Sequence, residues 1–166
     1  MENSQTLSIK PPVINGALPL KAVHYSTGGE IGAGWYNYVV VYEAVSGDHS
    51  SPSQPFTAYR DFTTGSTGFS GSTNKVEILD IPVPTDNRVV KKKIFRTRAI
   101  LTSDLSNSPF LYYELAILEP ATTAYTDTTS DDNLSSSSIA LFVADHSGLS
   151  YSFHKGRLFS SNLKLP

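Results

Sequence analysis

The chain contains no cysteine and few charged residues, which make up 17% of its 166 positions. Without cysteine it has no disulfide framework and no thiolate metal site, which fits folding in a reducing cytosol. Its net charge of −2 gives no general attraction to nucleic acid or to an anionic membrane. We find neither the pattern of a signal peptide nor an apolar run near the roughly 18 residues of a membrane-spanning helix.

Serine and threonine occupy much of the polar share, with 23 and 15 residues. Threonine suits strands and serine suits turns, while neither is a strong helix former. Nine tyrosines and eight phenylalanines supply apolar volume for a core. The composition therefore favours an all-β protein with polar loops, built as one good-sized domain or as a smaller domain with long arms.

The clearest strand lies at 35–45, where WYNYVVVYEAV places β-branched and aromatic residues on both faces. We expect a central strand there and expect the sole tryptophan, Trp35, to be buried. The segment FLYYELAIL at 110–118 also contains good helix formers, but its tyrosine pair and a hairpin context favour strand. Short strands separated by polar turns are typical of a β-sandwich. The other strand candidates are 17–25, 54–59, 75–81, 88–100, 122–127 and 139–144.

Proline and serine mark the two ends of this pattern. Two adjacent prolines predict an extended N-terminal arm at 1–16, because proline fits neither a helix interior nor a central strand. The serine-rich stretch SDDNLSSSS at 130–138 is typical of a linker. We therefore predict a β-sandwich at 17–134, followed by a linker and a C-terminal assembly arm at 135–166.

Three segments together resemble a known module. They are GWYNYVVVYEAVSGDHSSPSQP at 34–55, KVEILDIPVPTDNRVVKKKIFRT at 75–97 and TTAYTDTTSDDNL at 122–134. Their order and spacing resemble the fibronectin type III or immunoglobulin-like modules of virion proteins in tailed bacteriophages, over roughly residues 17–134. The stretch HSGLSYSFHKGRLFSSN at 146–162 is similar to the segment that leads from such a module into a following β-rich domain.

The resemblance implies an all-β, Ig/fibronectin III-like antiparallel β-sandwich with extended N- and C-terminal arms. It implies a non-enzymatic structural protein of the virion, assembled in the host bacterial cytoplasm, that mediates subunit contacts in the tail, neck or capsid exterior. The implied partners are other virion proteins and further copies of the chain in a symmetric assembly, with no membrane, nucleic acid or cofactor.

Two alternatives stay open, because sandwiches host many functions. One is a module that binds carbohydrate or another group on a host surface, and the other is an accessory domain of a secreted bacterial enzyme. The carbohydrate alternative requires exposed aromatic side chains on a loop. The candidates are Tyr59, Phe62 and Phe69.

We predict no catalytic residue. His49 lies beside Asp48, Ser50 and Ser51 in a turn, and these are residue types of a nucleophile triad. A triad, however, needs groups that the fold brings together next to an oxyanion hole, whereas neighbouring turn residues point apart. We therefore expect a solvated turn at this place.

We also predict no metal or cofactor site. The acidic residues Asp127, Asp131 and Asp132 are the best candidates for Ca²⁺, which binds several oxygen ligands. The cluster lacks the dense Asp-x-Asp-x-Asp-Gly pattern, and aspartate is an ordinary turn former in such a segment. Folding should accordingly need no metal.

The only dense basic stretch lies at 88–98, with Lys91, Lys92 and Lys93 at its centre. Because strand residues alternate, one stripe of cations must point outward. The simpler interpretation is a solvated edge strand on which lysine blocks unwanted pairing. The alternative is an electrostatic contact with an acidic partner subunit or with DNA.

The segment 147–166 interleaves apolar residues with Ser, Lys and His and is too short to bury a core alone. An unpaired strand invites pairing with another chain. We predict that 156–163 adds as a strand to a neighbouring subunit or another virion protein, with Leu158 and Phe159 filling pockets. The alternatives are that the tail folds back on its own sandwich or is a disordered remnant.

Overall fold

The structure is a computed structural model that describes residues 21–53, 55–58, 68–101, 110–136, 138–141, 150–154 and 157–161. Apart from one 3-10 turn at Asp131–Asn133, the regular elements in these ranges are strands. They are β1 (Lys21–Tyr25), β2 (Asn37–Ala44), β3 (Phe56–Thr57), β4 (Lys75–Leu79), β5 (Val89–Thr97), β6 (Phe110–Leu118), β7 (Tyr125–Asp127), β8 (Ser138–Leu141), β9 (Ser150–His154) and β10 (Arg157–Ser161).

The all-β expectation is confirmed, and β6 is a strand rather than a helix. In the part of the chain that the structure describes, no helix has the length and apolarity to cross a membrane. The predicted N-terminal arm at 1–16 lies outside the described residues.

The strands form two larger antiparallel sheets and a separate hairpin. One sheet has the order β1-β4-β7, the other has the order β3-β2-β5-β6-β8, and β9 pairs with β10. Alternation explains how the smaller sheet faces the core: Val76 and Ile78 of β4 are buried, while Lys75 and Glu77 are partly exposed.

Side chains from both sheets meet in one core. Tyr38, Val40 and Tyr42 of β2 share a buried cluster with Val76 and Ile78 of β4. The opposite face of β2 is buried as well, because Val39 and Val41 pack in a second cluster with Phe95 and Tyr112. Burial on both faces is what the apolar run at 35–45 predicted for a central strand.

Trp35 is not a core residue, so this expectation is wrong. It lies just before β2 and is only partly buried, with its backbone paired to Ile100. The fully buried aromatic residues of this segment are Tyr36 and Tyr38. Tyr36 and Tyr38 belong to the buried cluster between the sheets, whereas Trp35 alternates with them and belongs to neither buried cluster.

The stretch 130–138, which the sequence predicts to be a linker, contains regular elements among its described residues. It contains the 3-10 turn, and Ser138 begins β8, which pairs with β6 in the larger sheet. The predicted boundary after Leu134 therefore falls before the last strand of that sheet.

Strand β5 is also not an edge strand. It lies between β2 and β6 and pairs with both. Its lysines consequently cannot serve to block pairing at an edge, and a different explanation is needed for each cation of this stretch.

Candidate functional site

The basic stretch places its charges on both faces of β5. Lys92, Ile94 and Arg96 are fully buried on the face towards the smaller sheet. Lys91 and Lys93 belong to the opposite face, where they contact carboxylates of neighbouring strands. Because a charge is rarely buried without a partner, the two inward cations define the polar centre of the protein.

Arg96 of β5 joins the larger sheet to the smaller one by contacting two carboxylates. Asp127 is the last residue of β7, and Asp131 follows that strand. The Arg96 Nη1 donates to Asp127 Oδ2 at 2.6 Å and to the Thr129 carbonyl at 2.9 Å. Its Nη2 donates to Asp131 Oδ1 at 2.8 Å. The Tyr38 hydroxyl donates to the same Asp127 oxygen at 2.9 Å. We call Arg96, Asp127, Asp131 and Tyr38 the arginine cluster.

The electrostatics of the arginine cluster favour its charged form. Burial, the largest single effect, would lower the pKa of Arg96. The charges of Asp127 and Asp131 and the hydrogen bond to Asp127 are among the effects that together outweigh burial, and the pKa is raised. Burial raises the pKa of Tyr38 far above its ordinary value, and the neighbouring carboxylate adds to the effect. Tyr38 is therefore a neutral donor, and Arg96 keeps its positive charge over the whole physiological range.

This arrangement shows what the three acidic residues that were candidates for Ca²⁺ do in the fold. Two of the three, Asp127 and Asp131, do converge, but the cation between them is the guanidinium of Arg96. Asp131 also accepts from the Ala99 backbone N–H at 2.8 Å, and Asp132 is exposed. Among the described residues no group of three His, Cys, Asp or Glu is placed to hold a metal.

We expect the thermal melting temperature to be the same with and without a chelator of divalent cations. The two converging carboxylates already have a buried cationic partner, so a metal would have to displace it. Differential scanning fluorimetry with EDTA, with and without added Ca²⁺, measures this. A melting temperature that drops with EDTA and recovers with Ca²⁺ would contradict the prediction.

Lys92 is the second inward cation. Its Nζ donates to the carbonyl oxygens of Pro82, at 3.1 Å, and of Thr122. It thereby links the turn after β4 to the turn before β7. Burial lowers the pKa of Lys92 to about 8, because the ammonium loses its hydration and has only neutral oxygens as partners.

The free energy of unfolding should rise between pH 8 and pH 10 because of Lys92. Its pKa is about 8 when folded and 10.5 as a free side chain, so in this window the unfolded state binds more protons. Stability then increases with pH, by up to about 3 kcal/mol over the full range. Urea unfolding at several pH values measures the trend.

The control for this prediction is Lys92→Met. Several tyrosines, including Tyr38 and Tyr42, have raised pKa values and act against stability at higher pH. They are present in both proteins, so the difference between parent and variant isolates Lys92. If both proteins show the same pH dependence from pH 8 to pH 10, the prediction is wrong.

The outward cations are neutralised within the sheet. Glu43 of β2 contacts Lys93 at 2.7 Å and Lys91 at 3.6 Å, and Lys93 contacts Glu114 of β6 at 3.4 Å. Burial would raise the pKa of Glu43, but hydrogen bonds from Lys93 and His49 lower it to about 2. This face is a ladder of alternating charge across three strands, which gives no support to a cationic surface for DNA.

The turn around His49 shows no triad geometry. The His49 imidazole lies 3.0 Å from Glu43, whereas Asp48 accepts from the Ser46 hydroxyl at 2.8 Å. Ser50 Oγ accepts from the Tyr42 backbone N–H, so it is used to bind the neighbouring strand. The residues of the turn thus have separate structural partners. The expectation of a solvated turn holds for Ser46 to Asp48 but is wrong for Ser50, which is buried, and for His49, which is half-buried.

Phe69, one of the carbohydrate candidates, is buried. Its ring stacks on His24 with centroids 3.9 Å apart and also contacts Tyr36. The buried ring of Phe69 is therefore not accessible for stacking against a sugar. The other two candidates, Tyr59 and Phe62, lie outside the described residues.

A buried asparagine holds the loop beside Phe69. Asn74 is fully buried, and its amide nitrogen donates to the carbonyl oxygens of Ile31 at 2.9 Å and of Gly32 and Gly71 at 3.3 Å. Its Oδ1 lies 2.7 Å from His24 Nε2. Sequence reasoning missed this residue, because asparagine after a Gly- and Ser-rich loop looks like a turn former.

The segment predicted to be an assembly arm forms the hairpin of β9 and β10. Arg157 to Ser161 pairs with Ser150 to His154, so β10 is not without a partner. The residues 155–156 and 162–166 lie outside the described ranges. In the described strands the hairpin belongs to neither larger sheet, which leaves one edge of each of its strands unpaired.

Comparison with models of protein families and with curated proteins finds no match for this chain.

Proposed function

We propose that this chain is a non-enzymatic structural protein that joins subunits of a tailed bacteriophage particle, in the tail, neck or capsid exterior, through the hairpin β9–β10. The body that carries the hairpin is, in this proposal, an Ig/fibronectin III-like sandwich. The single observation that carries the proposal is a hairpin whose outer edges are unpaired in the described strands, beside a body that is stabilised internally.

The strand order supports the sandwich family. In constant-type immunoglobulin domains strands A, B, E and D form one sheet and C, F and G the other. Assigning β1 and β4 to B and E, and β2, β5 and β6 to C, F and G, reproduces the neighbours B-E and C-F-G. One departure is β7, which pairs with β4 where strand D would lie but follows strand G in sequence. Strand β8 is an addition beside strand G.

The polar groups of the body support a structural role. The arginine cluster and Lys92 use their side chains to connect the sheets, and the outward lysines pair with Glu43 and Glu114. Residues that would serve catalysis are instead occupied by structural contacts, as the turn of His49 shows. In this proposal a partner binds the backbone groups at the edge of a strand, which is the mode called β-strand addition.

Deleting residues 147–166 tests the proposal. We expect the truncated protein to keep the melting temperature of its two-sheet body, because the hairpin forms a sheet of its own, and to be lost from assembled particles. Quantitative mass spectrometry of purified particles gives the occupancy. A matched control replaces Thr85 and Asn87, two exposed residues of the turn before β5, with serine. Normal occupancy of the truncated protein in particles would overturn the proposal.

A further inference from the structure

One sheet edge differs from the others in the described part of the chain. Natural proteins protect edges with short strands, prolines or charges. Strand β3 has two residues and follows Pro55, β7 has three residues and ends at Asp127, and β1 begins with Lys21. Strand β8 has four residues, and its sequence, Ser-Ile-Ala-Leu, contains neither a proline nor a charge.

The free edge of β8 also continues an apolar face. Ile139 is paired with Tyr112 and Leu141 with Phe110. Paired residues of antiparallel strands share a face, so the register places Ile139 and Leu141 on the face of the second hydrophobic cluster. An added strand would extend that face if it carried apolar residues at alternate positions.

The hairpin β9–β10 has this pattern. Its register pairs Phe153 with Leu158 and Tyr151 with Ser160, which places three apolar residues on one face. The other face carries Ser152, which is paired with Phe159. A two-stranded sheet alone is at best marginally stable in water. Pairing would therefore stabilise the hairpin, and it would also cover the edge of β8.

We infer that the hairpin of one copy pairs with the β8 edge of a second copy, so that the larger sheet continues from one molecule into the next. The inference rests on the proposed function and names the partner for the hairpin as the chain itself. Within one chain the hairpin is a sheet apart from β8. Both halves of the contact are present in each copy, and a reciprocal exchange closes into a two-fold dimer.

The absence of cysteine makes a direct test possible, because any introduced thiol is unique. One variant carries Ala140→Cys on β8. Two others carry Ser152→Cys on β9 or Ser161→Cys on β10, which the register places on the face opposite to the apolar one, as it does Ala140. The first variant is mixed with each of the others and treated with a short bismaleimide, which tolerates a shift in register. We expect a covalent dimer of the two different chains, at a yield several-fold above that of the control pair, in which Ser46→Cys in an exposed turn replaces Ala140→Cys.

Sedimentation equilibrium of the unmodified full chain is the second measurement. We expect a mass of two chains or a multiple, falling to one chain when 147–166 is deleted. A monomeric full chain at every concentration overturns the inference, and so does a cross-link yield no higher than the control. An intramolecular cross-link in the double variant Ala140→Cys/Ser161→Cys that persists on dilution also overturns it, since the hairpin would then fold back on its own chain.

The outcomes separate this inference from the proposed function. If the full chain is monomeric but deletion of the hairpin still removes it from particles, the inference fails and the proposed function stands. If the hairpin makes dimers but particles incorporate the truncated chain normally, the proposed function fails and the self-pairing stands.

Discussion

Replacing Arg96 with methionine should lower the free energy of unfolding by about 3–5 kcal/mol, the range measured when one partner of a buried ion pair is removed. The side chains of Arg96 and Asp127 are both 0% exposed, and their closest atoms are 2.6 Å apart. The substitution leaves the Asp127 carboxylate buried with the Tyr38 hydroxyl and the Thr129 N–H as donors but without a counter-charge. Chemical denaturation at pH 7 measures the loss.

Two further variants show whether the effect comes from the unpaired charge. Arg96→Lys keeps the positive charge but has no planar fork for two carboxylates, so we expect a smaller loss than for Arg96→Met. Adding Asp127→Asn to Arg96→Met should restore part of the stability. It removes the unpaired charge and keeps an oxygen that can accept from Tyr38.

A second arginine–aspartate pair in the same chain is the matched control. Arg88 and Asp86 are paired in the turn before β5, but both side chains are partly exposed to water. Exposed pairs contribute about 0–1 kcal/mol, so Arg88→Met should be close to neutral. Equal losses for Arg88→Met and Arg96→Met would contradict the role assigned to burial in the arginine cluster.

The strands with clear alternation could be predicted from the sequence. Buried β2 and half-buried β4 follow from the apolar run at 35–45 and from the alternation of Val76 and Ile78 with charged residues. Both patterns are local periodicities, and a local periodicity can be read directly from the sequence. Trp35 was misplaced because alternation gives the face on which a residue lies but not which distant segments cover that face.

The faces of β5 could not be predicted in the same way. Alternation puts Lys92 and Arg96 with two apolar residues on one face, and Lys91 and Lys93 with two apolar residues on the other, so the two faces look alike. The apolar residues are Val90 and Ile94 on the first face and Val89 and Phe95 on the second. Which face is buried depends on the carboxylate that lies across the core, and Asp127 is 31 positions away in sequence. For the same reason the acidic residues resembled a calcium site, because carboxylate oxygens suit a divalent cation or a guanidinium equally well.

Asn74→Asp is the second substitution with a large expected effect, and it changes only one nitrogen to an oxygen. The amide nitrogen of Asn74 faces three carbonyl oxygens, those of Ile31, Gly32 and Gly71. An ionised carboxylate at this buried position would face the same oxygens without a donor, so its pKa should rise above 7. Holding a proton against an ordinary aspartate pKa of about 3.9 costs about 4 kcal/mol at pH 7.

The pH dependence distinguishes this mechanism from a simple loss of packing. Below about pH 4 the carboxyl is protonated in both states, and the charge contributes no penalty. As pH rises the unfolded state releases the proton first, so the unfolding free energy of the variant should fall relative to the parent by up to about 1.4 kcal/mol per pH unit. The comparison is best made at pH 8, where an ordinary aspartate is fully ionised in the unfolded state.

The matched control is Asn87→Asp, the same change at an exposed position in the turn before β5. It should shift the unfolding free energy by no more than about 0.5 kcal/mol, as surface substitutions usually do. Asn74 also exchanges backbone hydrogen bonds with Ile31 at 3.0 and 3.1 Å, so the loop that contains Gly32 should loosen with it. Hydrogen exchange at the Ile31 amide should then increase in Asn74→Asp but not in Asn87→Asp. An Asn74→Asp protein that unfolds at pH 8 like the parent would show that the three carbonyls do not depend on this donor.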